Sequence, residues 1–163
     1  MCQSRHPLSL ALRNLIFTVV VPGAGGVYVP WLILTVGGGR PQPAIWPAAV
    51  VIAFGAALYL WCLWLFATVG AGTPGPWDAP RRVVEVGPYR WVRNPIYVSA
   101  IVVIAGETAL FLSLPLFVYL IAVAVGVHLF VVGYEEPTLA SRFGADYEAY
   151  RRRVQRWFPR RPH

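Results

Sequence analysis

Lysine is absent from this chain of 163 residues, and all fourteen basic residues are arginine. Cysteine is nearly absent too: Cys2 and Cys62 are too few and too far apart for a disulfide framework or a thiolate metal site. Histidine occurs only as His6, His128 and His163, without ligand spacing, so no metal centre is expected. Charge of either sign is scarce, at 13% of residues. That scarcity excludes an ordinary soluble domain, because 57% hydrophobic residues would leave too much apolar surface in water. A soluble basic face is missing as well. The net charge of +7 comes from arginines that flank apolar runs, which argues against a nucleic-acid partner.

What is present is apolar sequence, with a mean hydropathy of +0.56, in blocks long enough to cross a bilayer. These blocks predict a single-domain, all-α integral membrane protein with spans at about 14–36, 45–69, 96–112 and 115–134. The last two form a hairpin, since only Ser113 and Leu114 separate them before Pro115, a residue suited to a first helical turn. Pro22, Gly23, Gly25, Gly26 and Pro30 predict an irregular first span. Cys62, mid-span, is expected only to pack.

Thirteen arginines lie on one side of this arrangement. Arg5 and Arg13 precede span one, Arg81, Arg82, Arg90 and Arg93 lie between spans two and three, and seven follow span four, from Arg142 to Arg161. Only Arg40 lies on the other side. The asymmetry places both termini, the loop at about 70–95 and the tail in the cytoplasm, as for a bacterial-type inner or plasma membrane. The same arginines favour anionic headgroups. Arg5 and Arg13 before so long a run suit a retained anchor better than a cleaved signal peptide.

Polar chemistry is confined to the loop, the tail and the adjoining helix ends. Gly70-Ala71-Gly72-Thr73-Pro74-Gly75 has the form G-x-G-x-x-G, but no strand precedes it and Pro74, Pro76 and Pro80 follow. A dinucleotide loop is thereby excluded; the segment is a helix end with a flexible exit, or a place where backbone approaches a ligand. Further on, Gly87-Pro88-Tyr89-Arg90-Trp91-Val92-Arg93-Asn94-Pro95-Ile96-Tyr97 predicts a turn that starts span three at Pro95. Arg93 and Asn94 then sit at a helix N-terminus suited to an anionic group, or act simply as an interfacial arginine and a capping asparagine.

Span four closes on Tyr134-Glu135-Glu136-Pro137. Adjacent carboxylates here can bind an amino group, a ribose or a sulfonium, with Arg93 as an ion-pair partner; alternatively they open a new helix begun by Pro137. That helix, expected at about 137–156, puts Leu139, Phe143, Tyr147, Tyr150 and Val154 on one face, with Arg151, Arg152 and Arg153 partly off it. An amphipathic interfacial helix of this kind can act as a lid. Glu107, beside Thr108 inside span three, is an intramembrane acid whose expected partner is His128.

These pieces, in this order, resemble the isoprenylcysteine carboxyl methyltransferase family and the related phospholipid methyltransferases, over about Gly70 to Pro159. Gly87 to Tyr97 is similar to the signature G-x-Y-x-x-x-R-H-P-x-Y, and Phe143-Gly144, Tyr147, Tyr150 and Val154 follow in register. Gly70, Gly72, Glu135 and Glu136 match the G-x-G and Glu-Glu pair that hold the cofactor in the phospholipid enzymes.

The resemblance implies a pocket for S-adenosylmethionine, with S-adenosylhomocysteine as product, closed by the C-terminal helix. The cofactor-binding residues it implies are Gly70, Gly72, Tyr89, Arg93, Asn94, Pro95, Tyr97, Glu135, Glu136, Tyr147, Tyr150 and Arg151, with no metal. The methyl acceptor would be lipophilic and enter sideways from the bilayer, as an isoprenylcysteine carboxylate, a phospholipid or another lipid. Arg93 or Asn94 would hold the oxygens of a carboxylate acceptor; Glu107 or one of the paired glutamates would take the proton of an amine or hydroxyl acceptor. Asn94 stands where the signature has histidine, and asparagine orients groups but does not titrate. Gln155 replaces a proline expected before the final arginine. The competing readings are an NADPH-dependent membrane lipid reductase, disfavoured by the small size of the chain, and a non-catalytic membrane assembly protein.

Overall fold

A computed structural model describes residues 7–37, 39–41, 45–70 and 83–159. The first apolar run forms α1 (Pro7–Gly23), a π turn (Ala24–Tyr28) and α2 (Val29–Gly37). In that turn the Val29 N–H bonds to the Ala24 carbonyl, five residues back. Pro30 follows at once. Having no N–H for the carbonyl a turn earlier, it leaves a gap in the ladder that the wider turn takes up. The expected irregularity of span one is therefore a π turn.

The same device shapes the end of the bundle. Helix α5 (Leu114–Phe130) passes through a π turn (Val131–Glu135) into α6 (Glu136–Phe143), with the Glu136 N–H bonded to the Val131 carbonyl just before Pro137. The helix runs unbroken from Leu114 to Phe143, so Pro137 does not begin a new one as expected. The break comes at Gly144, whose φ of +53 suits glycine far better than a residue with a side chain. Helix α7 (Ala145–Arg153) follows it, so the single helix expected at about 137–156 is two.

Asn14–Gly37, Ile45–Gly70 and Leu114–Phe143 are long and apolar enough to cross a membrane. The remaining expected span is α4 (Pro95–Phe111), whose 17 residues make about 26 Å of helix, short of a hydrocarbon core of about 30 Å. It lies tight against α3 (Ile45–Leu65), with Gly55 facing Ser99 and Val103, and Gly106 facing Ala48 and Ile52. A Cβ at Gly55 would stand 2.9 Å from the Ser99 carbonyl oxygen. Because a backbone atom cannot swing aside, Gly55→Ala should cost about 1–3 kcal/mol. Thermal unfolding in detergent reads this out, and an unchanged midpoint would mean that the two helices separate freely.

The predicted hairpin between α4 and α5 is present. Leu112 turns the chain at φ +45, the Ser113 hydroxyl accepts the Leu116 N–H, and Pro115 lies in the first turn. Hydroxyl hydrogen bonds tie span one to its neighbours: Thr18 pairs with Tyr59 at 2.9 Å, and Tyr119 donates to the Gly25 carbonyl at 2.7 Å. The outward faces of the bundle are apolar, with Trp31, Trp46, Phe54, Leu60, Ile121 and Leu129 all exposed, as lipid-facing positions require.

Candidate functional site

Two buried clusters build the arginine-rich end of the bundle. The first joins the end of α3 to the start of α4: Cys62, Leu65, Val84, Tyr89 and Ile96. Its turn depends on Gly87, which has φ +57 and would set a Cβ 2.8 Å from Leu65 Cδ1. Pro88 and Tyr89 are pressed inward by that turn, and Tyr89 meets Phe66 edge-on at 5.6 Å. Burial holds the Tyr89 hydroxyl well above its ordinary pKa, hence neutral.

The second cluster gathers Tyr147, Tyr150 and Val154 against Val83, Leu139, Ala140 and Phe143. The face predicted for one helix survives the break at Gly144, folded back on itself. Tyr150 donates to the Tyr89 carbonyl at 2.8 Å, which fastens α7 to the loop. Burial raises the pKa of both α7 tyrosines, so both hydroxyls stay neutral, Tyr150 as a donor and Tyr147 as an acceptor from Arg93. Arg153 secures the outer edge by pairing with Glu85 at 2.8 Å.

Between the clusters lies the polar centre. Pro95 opens α4 in its first turn, which leaves Arg93 and Asn94 just ahead of the helix. Arg93 sets a guanidinium nitrogen 3.1 Å from Glu136 Oε1, with both side chains only 8% exposed, and reaches the Tyr147 hydroxyl at 3.4 Å. Its Nε is buried without a partner. Glu136 also receives Arg156 in a two-pronged contact, at 2.6 and 2.9 Å. That contact is the main reason the Arg156 pKa is raised. Glu135, one residue earlier, faces elsewhere, because adjacent helical positions do not share a side. It accepts the Tyr97 hydroxyl at 2.7 Å.

The residues after α7 form a strap across this centre. The Arg93 N–H donates to the Gln155 carbonyl at 2.8 Å, within an isolated parallel bridge between Val92 and Gln155. Asn94 does not cap α4 with its side chain; its amide donates to the Arg156 carbonyl at 3.3 Å. His128, expected beside Glu107, instead accepts the Trp157 indole N–H at 3.1 Å, so the strap is pinned to α5 as well.

Of the residues singled out from sequence, Tyr89, Arg93, Asn94, Pro95, Tyr97, Glu135, Glu136, Tyr147 and Tyr150 converge on this end. Gly70 is buried at the close of the π turn that ends span two, and Gly72 lies outside the described residues. Arg151 pairs with Glu148 at 3.2 Å and, with Arg93 and Arg156, lines the cavity beside this centre. Glu107 is not brought in: twelve residues along α4 from Pro95 carry it about 18 Å away along the helix. One buried carboxylate oxygen there has no hydrogen-bond partner. Arg156 is the functional-looking side chain that sequence reasoning missed, as one of many arginines in a dense tail.

A family model described as phospholipid methyltransferase matches residues 44–146. The match takes in spans two to four, the Gly87–Tyr97 turn and the paired glutamates, and leaves out span one and the strap. No curated protein and no solved structure matches the chain. Well over half of the sequence, folded as an all-α bundle with helices able to cross a membrane, thus carries one family's pattern, and the chain belongs to the phospholipid methyltransferase family, whose chemistry is methyl transfer to lipid-type acceptors.

Proposed function

We propose that the chain transfers a methyl group from S-adenosylmethionine to a lipophilic acceptor held in the membrane, and that the Arg93–Glu135–Glu136 centre is the cofactor end of its site. The observation that carries this reading is the meeting of two acids and two arginines, braced by Tyr97 and Tyr147, where an apolar bundle gives way to polar chain. The donor set fits the cofactor. A molecule with a sulfonium, an ammonium and a carboxylate needs anionic and cationic partners side by side, and the buried Nε of Arg93 is a donor still lacking an acceptor.

When bound, S-adenosylmethionine supplies an electrophilic methyl on a cationic sulfur, so alignment and exclusion of water are what remain for the protein. Glu135 is the acid to face a cationic group, with Tyr97 fixing its rotamer. Glu136 holds Arg93 and Arg156 in place, and Asn94 fastens the strap that covers them. Tyr89 and Tyr150 support the centre from beneath, while Gly70 and Gly72 would let backbone approach the ligand. No proton transfer falls to Asn94, and Glu107 is too distant to serve. An amine acceptor would therefore lose its proton to Glu135, whereas a carboxylate or thiolate acceptor needs no base. The arginine asymmetry supports a cytoplasmic position for this end, from which a polar cofactor would arrive, while the acceptor would arrive from the bilayer.

Calorimetric titration of the detergent-purified protein with S-adenosylhomocysteine should give micromolar binding, with no heat from NADPH. Folded protein that binds NADPH and ignores S-adenosylhomocysteine would establish the reductase instead.

A further inference from the structure

Glu107 is left without a role by the polar centre at the other end of the bundle. Its Oε2 is buried without a hydrogen-bond partner, on a helix packed among apolar spans. A buried oxygen of this kind needs a donor, and none of its neighbours has one to give. Tyr119 of α5 is close enough to feel the charge of Glu107, but its proton is committed to the Gly25 carbonyl at 2.7 Å. Thr108 turns its hydroxyl back to the Ile104 carbonyl at 2.8 Å. His128, the partner expected from sequence, is held by Trp157 of the strap. The donor left for Glu107 is one that a ligand brings.

The surroundings connect this acid to the cofactor end. Tyr97 and Glu107 are ten residues apart on α4, a progression of 3, 4 and 3 that stays on one stripe of the helix and covers about 15 Å. Tyr97 is the residue that braces Glu135. On α5, Gly126 lies about two turns beyond Tyr119 on the same face, and Gly133 follows seven residues later within the π turn. A Cβ at either glycine would meet nothing within 4 Å, so that face is open. Helix α1 scarcely meets α5, and span one is tied back to it only from the π turn, where Tyr119 holds Gly25. A chain lying along this opening runs from Tyr97 and Glu135 to Glu107, about half of a hydrocarbon core of about 30 Å. That is the reach of one leaflet's acyl chain.

We propose that Glu107 is a specificity-determining residue for the methyl acceptor, and that it receives a hydroxyl or amine hydrogen carried about 15 Å from the acceptor's methylated end. This role rests on the methyl-transfer reading and narrows its substrate class. A prenyl chain or a diacyl phospholipid offers only hydrocarbon at that distance and leaves the Glu107 oxygen bare. A lipophile with a polar group at each end satisfies it.

Hexadecanoic acid and its ω-hydroxy analogue test this, since they differ only in a terminal hydroxyl and each has a carboxylate suited to the Arg93 end. Each is titrated onto the full-length protein in detergent with S-adenosylhomocysteine present, and binding is followed by the rise in unfolding midpoint. Wild type should bind the hydroxylated acid about fivefold more tightly, the effect of one hydrogen bond. Glu107→Gln, whose amide oxygen still accepts, should keep that preference, whereas Glu107→Leu, apolar like the rest of the span, should bind both acids alike. Equal affinities in wild type overturn the proposal, as does a preference that survives Glu107→Leu, which would come from unequal partition into the micelle. Titration of S-adenosylhomocysteine alone on the same sample reads the parent activity separately. Cofactor binding without the hydroxyl preference removes this role and leaves the cofactor site standing. Hydroxyl preference in a protein that ignores S-adenosylhomocysteine detaches Glu107 from methyl transfer and overturns its assignment to the acceptor.

Discussion

Glu136→Ala is expected to unfold the arginine-rich end of the bundle at temperatures the wild type tolerates. The substitution strands Arg93, which is 8% exposed and retains only a 3.4 Å contact to the Tyr147 hydroxyl. Breaking a buried pair by removing one partner costs about 3–5 kcal/mol, because the remaining charge stays desolvated. Set against a total stability of about 5–15 kcal/mol, that is a large share. Arg156 contributes less to the loss, since its side chain is 30% exposed and can hydrate. What remains on the strap is three hydrogen bonds, from the Arg93 N–H, the Asn94 amide and the Trp157 indole, each worth about 1 kcal/mol. Limited trypsinolysis at the tail arginines should therefore accelerate alongside the fall in melting temperature. The double variant Arg93→Met/Glu136→Leu should melt above the single one, because apolar replacement of a whole pair leaves no orphan charge. A Glu136→Ala protein that melts with the wild type would show the pair to be hydrated and of little structural weight.

The spans were legible because their signal is local. Apolar blocks, the Ser113-Leu114-Pro115 link and the Gly87-Pro88 and Asn94-Pro95 steps each declare themselves within a few residues, and the structure realises all of them. Pro137 misled because proline suits a first helical turn, but here a π turn upstream absorbs its missing N–H. Gly144 carried a stop signal that the periodicity of Leu139, Phe143, Tyr147, Tyr150 and Val154 overrode. Both were true: the helix breaks, and the face still closes into one cluster. The pairing of Arg93 with the glutamates was readable from charge and helix ends, whereas its division was not. Which acid takes the arginines and which takes Tyr97 depends on rotation about α5 and α6, set by the π turn at 131–135. The strap was out of reach for a different reason. Arg156 meets Glu136 across 20 residues and Trp157 meets His128 across 29, and nothing in the composition of the tail marks those side chains among their neighbours.

Glu135→Gln is expected to abolish function while leaving the fold intact, the reverse of the outcome at Glu136. Glutamine is nearly isosteric, and its amide oxygen can still accept the Tyr97 hydroxyl that now meets Glu135 at 2.7 Å. Among the ion pairs of the described residues Glu135 has no arginine partner, so removing its charge strands no cation. What disappears is a negative charge available to a cationic ligand. A hydrogen bond to a charged group is worth about 1.5–3 kcal/mol, so S-adenosylhomocysteine should bind about ten- to a hundredfold more weakly. Tyr97→Phe supplies the control: the carboxylate keeps its charge and loses only its brace, which should weaken binding by about fivefold, the effect of one ordinary hydrogen bond. Titrating both variants against the ligand, with melting curves alongside, separates charge from positioning. Unchanged affinity in a folded Glu135→Gln protein would mean that the paired acids serve structure alone, and the cofactor's cationic end would have to be sought away from α5.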